Sequence, residues 1–191
     1  MRLTPALLIA YIICLFLVGC HKNKDIRAEI VSMKSTKVTI DKDSMLYING
    51  DSNLIKEQTL QFTLIVYVDS TECTSCSIGK LKMWESYLSK FNGKMPFQFI
   101  ALLEVKSGEV NQIERDIANI MLKVPILIDS NFVFRHQNPK FSNNSMFHTF
   151  LLNESDSVVL VGNPLQNEHI DKMFRKIIGR GVGDTIRNNQ N

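Results

Sequence analysis

The spacing Cys73-Thr74-Ser75-Cys76 constrains this chain more than any other feature. The pair stands where an apolar run, Leu64-Ile65-Val66-Tyr67-Val68, gives way to a stretch with Ile78, Leu81, Trp84, Leu88 and Phe91 at helical intervals. The pattern predicts a strand over 61–69 and a helix over 74–91. A cysteine at such a junction lies near a helix N-terminus, where unpaired backbone N–H groups and the helix dipole favour the thiolate. Two intervening residues also let the second thiol attack a mixed disulfide formed by the first and close an intramolecular disulfide. Cys73 then reads as the attacking thiol and Cys76 as the resolving one. A static disulfide that pins the start of the helix is the plainer alternative.

The other cysteines narrow the class. The chain has four. Arg2 precedes an apolar run, Ala6 to Val18, that is too short to span a bilayer as an ordinary helix and has the form of an export signal. The run ends in Leu17-Val18-Gly19-Cys20, which resembles the lipobox of bacterial lipoproteins. That resemblance implies cleavage before Cys20, a diacylglycerol on its sulfur and an acylated amine. Acyl chains hold to a bilayer at about 0.8 kcal/mol per buried CH₂. A plain secretory signal or an uncleaved anchor is the alternative.

On this reading residues 1–19 are a signal peptide and 20–27 a lipidated tether. Cys14 leaves with the signal and Cys20 carries lipid. Cys73 and Cys76 are then the only free thiols of a mature chain of 172 residues, nineteen fewer than 191. One closely spaced pair in an exported chain reads as redox-active rather than as a disulfide framework. No thiol remains for a Cys-rich metal site, and neither a metal nor a cofactor is expected. Loss of Arg2 lowers the formal net charge from +3 to +2. There is no basic run with interleaved aromatics, so nucleic acid is not an expected partner.

Beyond the tether, residues 28–58 read as a small β extension. Lys37-Val38-Thr39-Ile40 alternates, Met45-Leu46-Tyr47-Ile48 is a short apolar run, and Asn49-Gly50-Asp51 signals a turn. A domain over 59–179 follows. After the first strand and helix it continues with a buried strand from Phe97 to Val105. A helix marked by Val110, Ile113, Ile117, Ile120 and Met121 comes next, closed by Pro125, and then a strand from Ile126 to Asp129. Phe132 to Ser145 is polar and reads as loop or broken helix. Phe147–Asn153 and Val158–Val161, joined by Glu154-Ser155-Asp156, predict a hairpin. Gln166 or Asn167 caps a last helix carrying Ile170, Met173, Phe174 and Ile177, with Gly179 as its C′ residue. The tail 180–191, with two glycines and Asn-Asn-Gln-Asn, reads as disordered.

This order of elements, with CxxC after the first core strand, resembles the thioredoxin fold. It is most similar to the TlpA-like and alkyl-hydroperoxide-reductase/thiol-specific-antioxidant branch, of the kind found among lipoproteins of Bacteroidota. The residues that carry the resemblance are Val66-Tyr67-Val68-Asp69-Ser70 before the CxxC, Val124-Pro125-Ile126-Leu127-Ile128-Asp129, His148-Thr149-Phe150-Leu151-Leu152-Asn153 and Gly162-Asn163-Pro164. It implies an α/β fold, with a central mixed β-sheet flanked by helices and an inserted αβ unit over about 109–129. It also implies a membrane-anchored, extracytoplasmic thiol-disulfide oxidoreductase that acts on protein thiols and disulfides; no acidic run that would favour the cell surface follows Cys20, so a periplasm-facing placement is preferred.

Three positions depart from the family pattern. Phe147 stands where these proteins usually have a cis-proline, and the cost of a cis non-proline bond, about 2.5–4 kcal/mol, predicts trans. Met146, Phe147 and His148 are accordingly the candidate substrate-facing residues. Glu72, next to Cys73, places a carboxylate where it would oppose a thiolate. Tyr67 replaces the buried acid of many thioredoxins, leaving Asp69 or Glu72 as substitute bases.

Other functions stay open. Non-catalytic binding by a thioredoxin-fold lipoprotein is the first alternative. Ser70, three residues before Cys73, and Arg135 as an activating cation would suit a peroxiredoxin, but Val66 stands where its proline belongs. Copper delivery would use both thiols with His148, and zinc would need His136 as well. Trp84 reads as packing, Lys80 as a helix lysine one turn beyond Cys76, and His136 and His169 as surface residues.

Overall fold

The computed structural model describes residues 26–34, 36–48, 61–91 and 97–188, with side chains as far as Gly179. Among the described residues six strands form one sheet: β1 (Leu46–Ile48), β2 (Phe62–Val68), β3 (Gln98–Glu104), β4 (Ile126–Asp129), β5 (Thr149–Asn153) and β6 (Val158–Val161). Their order is β1-β4-β3-β2-β5-β6. β2, β3 and β4 run parallel. β1, β5 and β6 are added antiparallel, so the sheet is mixed.

Both sheet faces are covered, which is why the central strands read as unbroken apolar runs. Leu64, Val66 and Val68 of β2, with Phe99, Ala101 and Leu103 of β3, face one layer. That layer holds α2 (Thr74–Ser89), α3 (Val110–Asn119) and α5 (Glu168–Asn188), through Ile78, Leu81, Trp84, Ile113, Ile117, Phe174 and Ile178. Ile65, Tyr67, Ile100 and Leu102 face the other layer. There they meet Met33 of helix α1 (residues 26–33), Val38, Met45, Phe147, and Phe134 of the short helix α4 (Val133–Gln137).

The α/β order, the inserted α3–β4 unit and the hairpin agree with the expectation. Asn167 is the cap of α5, its Oδ1 accepting the N–H groups of His169 at 2.9 Å and Ile170 at 3.2 Å.

Two boundaries need correction. The segment read as a β extension over 28–58 begins with helix α1 over 26–33, whose Met33 is buried against the sheet. Among its described residues it supplies one strand, β1, and an isolated bridge between Lys37 and Ser157 rather than a strand over 37–40. The side chain of Asn138 occupies the backbone groups that a strand would have paired, accepting from Thr39 N–H at 2.9 Å and donating to Thr39 C=O at 2.8 Å. The last helix does not close at Gly179. It runs to Asn188 through part of the tail read as disordered, and Gly179 does not take the left-handed conformation of a C′ glycine. The Asn49-Gly50-Asp51 turn, the signal peptide and Cys20 lie outside the described residues.

Candidate dithiol site

β2 delivers the chain to the end of the sheet, and α2 begins after five intervening residues. Cys73 is the N-cap of α2 and its Sγ accepts the backbone N–H of Cys76 at 3.4 Å. Sulfur here does what an N-cap oxygen does, satisfying one of the orphan donors of the first turn. Negative charge on Cys73 Sγ would strengthen that contact. The two cysteines are joined as a disulfide with a Cα–Cα distance of 5.3 Å, and both are exposed.

Two hollows flank this point. One, of about 300 Å³, is lined by Cys73, Ser70, Thr74, Ser75, Glu109 and Gln112, among others. The second, of about 290 Å³, runs between α2 and the two loops around the hairpin. Leu81 and Trp84 line its α2 side, and Met146, His148, Asn163 and Leu165 the other. Glu72 lines both.

The structure therefore divides the expected substrate-facing residues. Met146 is 60% exposed at the mouth of the second hollow. His148 lines the same hollow but is only 4% exposed. Phe147 is a correction. It lies between them on a 3₁₀ turn just before β5, and its ring goes into the opposite core layer, where it is 2% exposed in one cluster with Phe134 and Phe150. No peptide bond among the described residues is cis, in line with the expectation for this position.

Sequence reading missed Glu104. It ends β3, is fully buried, and accepts the hydroxyls of Tyr67 and Ser70 at 2.6 Å each. Arg135 holds the same carboxylate with both ends of its fork at 3.1 Å, and reaches Asp69 Oδ2 at 2.6 Å. The segment of Arg135, read as loop or broken helix, forms a short helix. It belongs to α4, whose first N–H groups are taken by the buried Asp129 carboxylate: Val133 at 3.0 Å and Phe134 at 2.8 Å. Asp129 fixes α4, α4 aims Arg135, and Arg135 neutralises the acids beneath Ser70.

The signal for this cluster was present, since the three central strands each run into an acid: Val68-Asp69, Leu103-Glu104 and Ile128-Asp129. Burial works against the Asp69 carboxylate, but the Thr71 N–H and Arg135 outweigh it and hold its pKa below the usual value. Burial and the bond to Glu104 push the Tyr67 phenol well above its ordinary value, so Tyr67 remains a donor.

Trp84 packs against Phe99, with ring centroids 5.2 Å apart, and forms part of the groove wall. His136 and His169 are exposed. Among the described residues no three His, Cys, Asp or Glu side chains converge as metal ligands.

No protein-family model and no curated protein matches the chain. Solved structures do. A candidate thiol:disulfide interchange protein DsbE from Chlorobium tepidum superposes with a TM-score of 0.50 at 14% identity, over 76% of this chain and 97% of that one. This chain has a thioredoxin-like fold. The thioredoxin domain of a thiol-disulfide oxidoreductase from Bacteroides vulgatus gives the same TM-score and the same coverage of both chains at 10% identity. Within this thioredoxin-like fold the CxxC caps the helix that follows β2.

Proposed function

We propose that this protein exchanges disulfides with a partner protein through Cys73 and Cys76, as a thioredoxin-like oxidoreductase of the TlpA-like branch. The observation that carries the reading is an exposed disulfide whose first sulfur caps a helix N-terminus beside a half-apolar groove. The names of the two superposed proteins point the same way. A partner thiolate attacks Cys73 Sγ, the Cys73–Cys76 bond breaks, and Cys76 leaves with the electron pair. A second partner thiol then displaces Cys73 and the partner leaves oxidised. Run backwards, the Cys73 thiolate attacks a partner disulfide, Cys76 displaces the partner thiol and re-forms the Cys73–Cys76 bond, and the partner leaves reduced. Met146 and the groove beside it receive the partner chain.

The proposed location is the cell envelope, facing the periplasm, with the chain held to a membrane by lipid on Cys20. Its support is the apolar run ending in Leu17-Val18-Gly19-Cys20. Among the described residues no helix is long and apolar enough to cross a membrane. Replacing Cys20 by Ser should move the protein from the membrane fraction to the soluble one, and an unchanged distribution would reject the anchor.

The peroxiredoxin alternative loses its activating cation, because Arg135 is committed to Glu104, Asp69 and Tyr67. The exchange reading is tested by trapping. A Cys76→Ala variant should accumulate a mixed disulfide on Cys73 with envelope proteins, released by reductant. A variant that traps nothing, while wild-type chain and Cys73→Ala behave alike, would leave a binding protein.

A further inference from the structure

His148 is buried, yet one of its ring nitrogens has nothing proper to bond. Its Nε2 lies 3.2 Å from the Ser142 carbonyl, which can only accept, so Nε2 carries hydrogen. Its Nδ1 is buried without a hydrogen-bond partner. What stands beside it is the Glu72 carboxylate, with Oε1 at 3.4 Å. A neutral ring in this tautomer would set a bare lone pair against a carboxylate. A ring with hydrogen on both nitrogens makes the contact an ion pair.

We propose that His148 is the counter-charge of Glu72 and that this pair sets the acidity, and so the reactivity, of Cys73. Glu72 is bonded in sequence to Cys73 and lines the hollows on both sides of it. Alone, its negative charge raises the cost of a thiolate next door. A cation held against it offsets that field. The thioredoxin-like site thus tolerates an acid beside its nucleophile because the residue after Phe147 is a histidine. The proposal rests on Cys73 being the attacking thiol.

The other groups around His148 leave Glu72 as its partner. The Tyr67 ring of β2, its centroid 4.8 Å from that of His148, is a neutral phenol. Phe141 stacks at 6.1 Å. Lys80 of α2 lines the same hollow, adding positive charge. Glu29 of α1 is engaged by the Ser142 hydroxyl, behind the carbonyl that holds Nε2. Without the His148 cation, the Glu72 charge stands alone beside Cys73 and opposes its thiolate.

The test is the rate of Cys73 alkylation by iodoacetamide in the full chain after phosphine reduction, read from the mass of the Cys73 peptide across pH. Glu72→Gln should speed the reaction near neutrality by about three- to tenfold, the scale of up to one pKa unit. His148→Gln should slow it by about the same factor. In the Glu72→Gln background the His148 substitution should change little, because the charge it compensates is gone. Equal effects of His148→Gln in both backgrounds, or a Glu72→Gln rate no faster than wild type, would overturn the proposal. Glu72 is partly exposed, so its variant serves as the second arm should His148→Gln fold poorly. Alkylation reads one thiol and needs no partner. Lost coupling in a chain that still exchanges disulfides rejects the pair alone, and intact coupling in a chain that never exchanges rejects only the oxidoreductase reading.

Discussion

Neighbouring side chains at the groove have opposite duties. Met146 meets solvent at the mouth, and Phe147 fills the far side of the sheet. Truncating them separates the roles. Phe147→Ala empties a core site and should cost about 3–5 kcal/mol in urea unfolding. Met146→Ala should stay within about 0.5 kcal/mol of wild type while slowing exchange with a protein partner. A stable Phe147→Ala chain would return that ring to the groove. The sequence places Phe147 in register with the family's cis-proline, which is legible from the hairpin that follows. Which way a ring points from a single 3₁₀ turn is decided by packing on both sheet faces. Chain order does not show that. The contact of His148 with Glu72, across 76 positions of sequence, was equally beyond periodicity.

At the scale of elements, the short helix α4 is the piece that polar burial holds in place. Asp129 takes its first N–H groups and Asn138 ties its end to Thr39. Between them Arg135 meets two buried carboxylates. Arg135→Met would leave Glu104 and Asp69 without their cation. A fully buried pair broken this way costs about 3–5 kcal/mol. Arg135 keeps 37% of its side chain exposed, so screening should reduce the loss to about 2–3 kcal/mol. Urea unfolding would read it, and a variant within about 0.5 kcal/mol of wild type would deny the cluster its structural role. Strands and long helices were legible because apolar runs and helical intervals survive in sequence. α4 was not, since five residues are too few to show a period. The helix α1 was hidden differently: Ile26, Ile30 and Met33 pack against the core, but only Met33 is fully buried.

Across the whole molecule, acid titration should report on both ends of the domain. Asp69 is held below its usual pKa as described. Asp171 of α5 is too, because the Tyr87 hydroxyl at 2.5 Å and Arg175 at 2.9 Å outweigh its burial. A carboxylate with a lowered folded pKa stabilises the fold fully above its unfolded value of about 3.9, and that contribution vanishes as pH falls through the folded value. Stability should therefore hold through the mildly acidic range as far as these groups decide it, and fall below about pH 4. Asp171→Asn should flatten that acid limb, and an unchanged limb would mean the ties are not formed in solution.

The fold as a whole could be anticipated because strand, CxxC, helix and hairpin follow one another in a fixed order. The chemistry at its centre is settled by redox equilibrium. The full chain in detergent, equilibrated against graded glutathione buffers and read by alkylated mass, should convert reversibly between disulfide and dithiol at Cys73 and Cys76. The midpoint should fall between about −270 and −120 mV, the range of working dithiol proteins. A disulfide unchanged across the series, or thiols that never pair, would contradict the account and leave a thioredoxin-like fold without exchange.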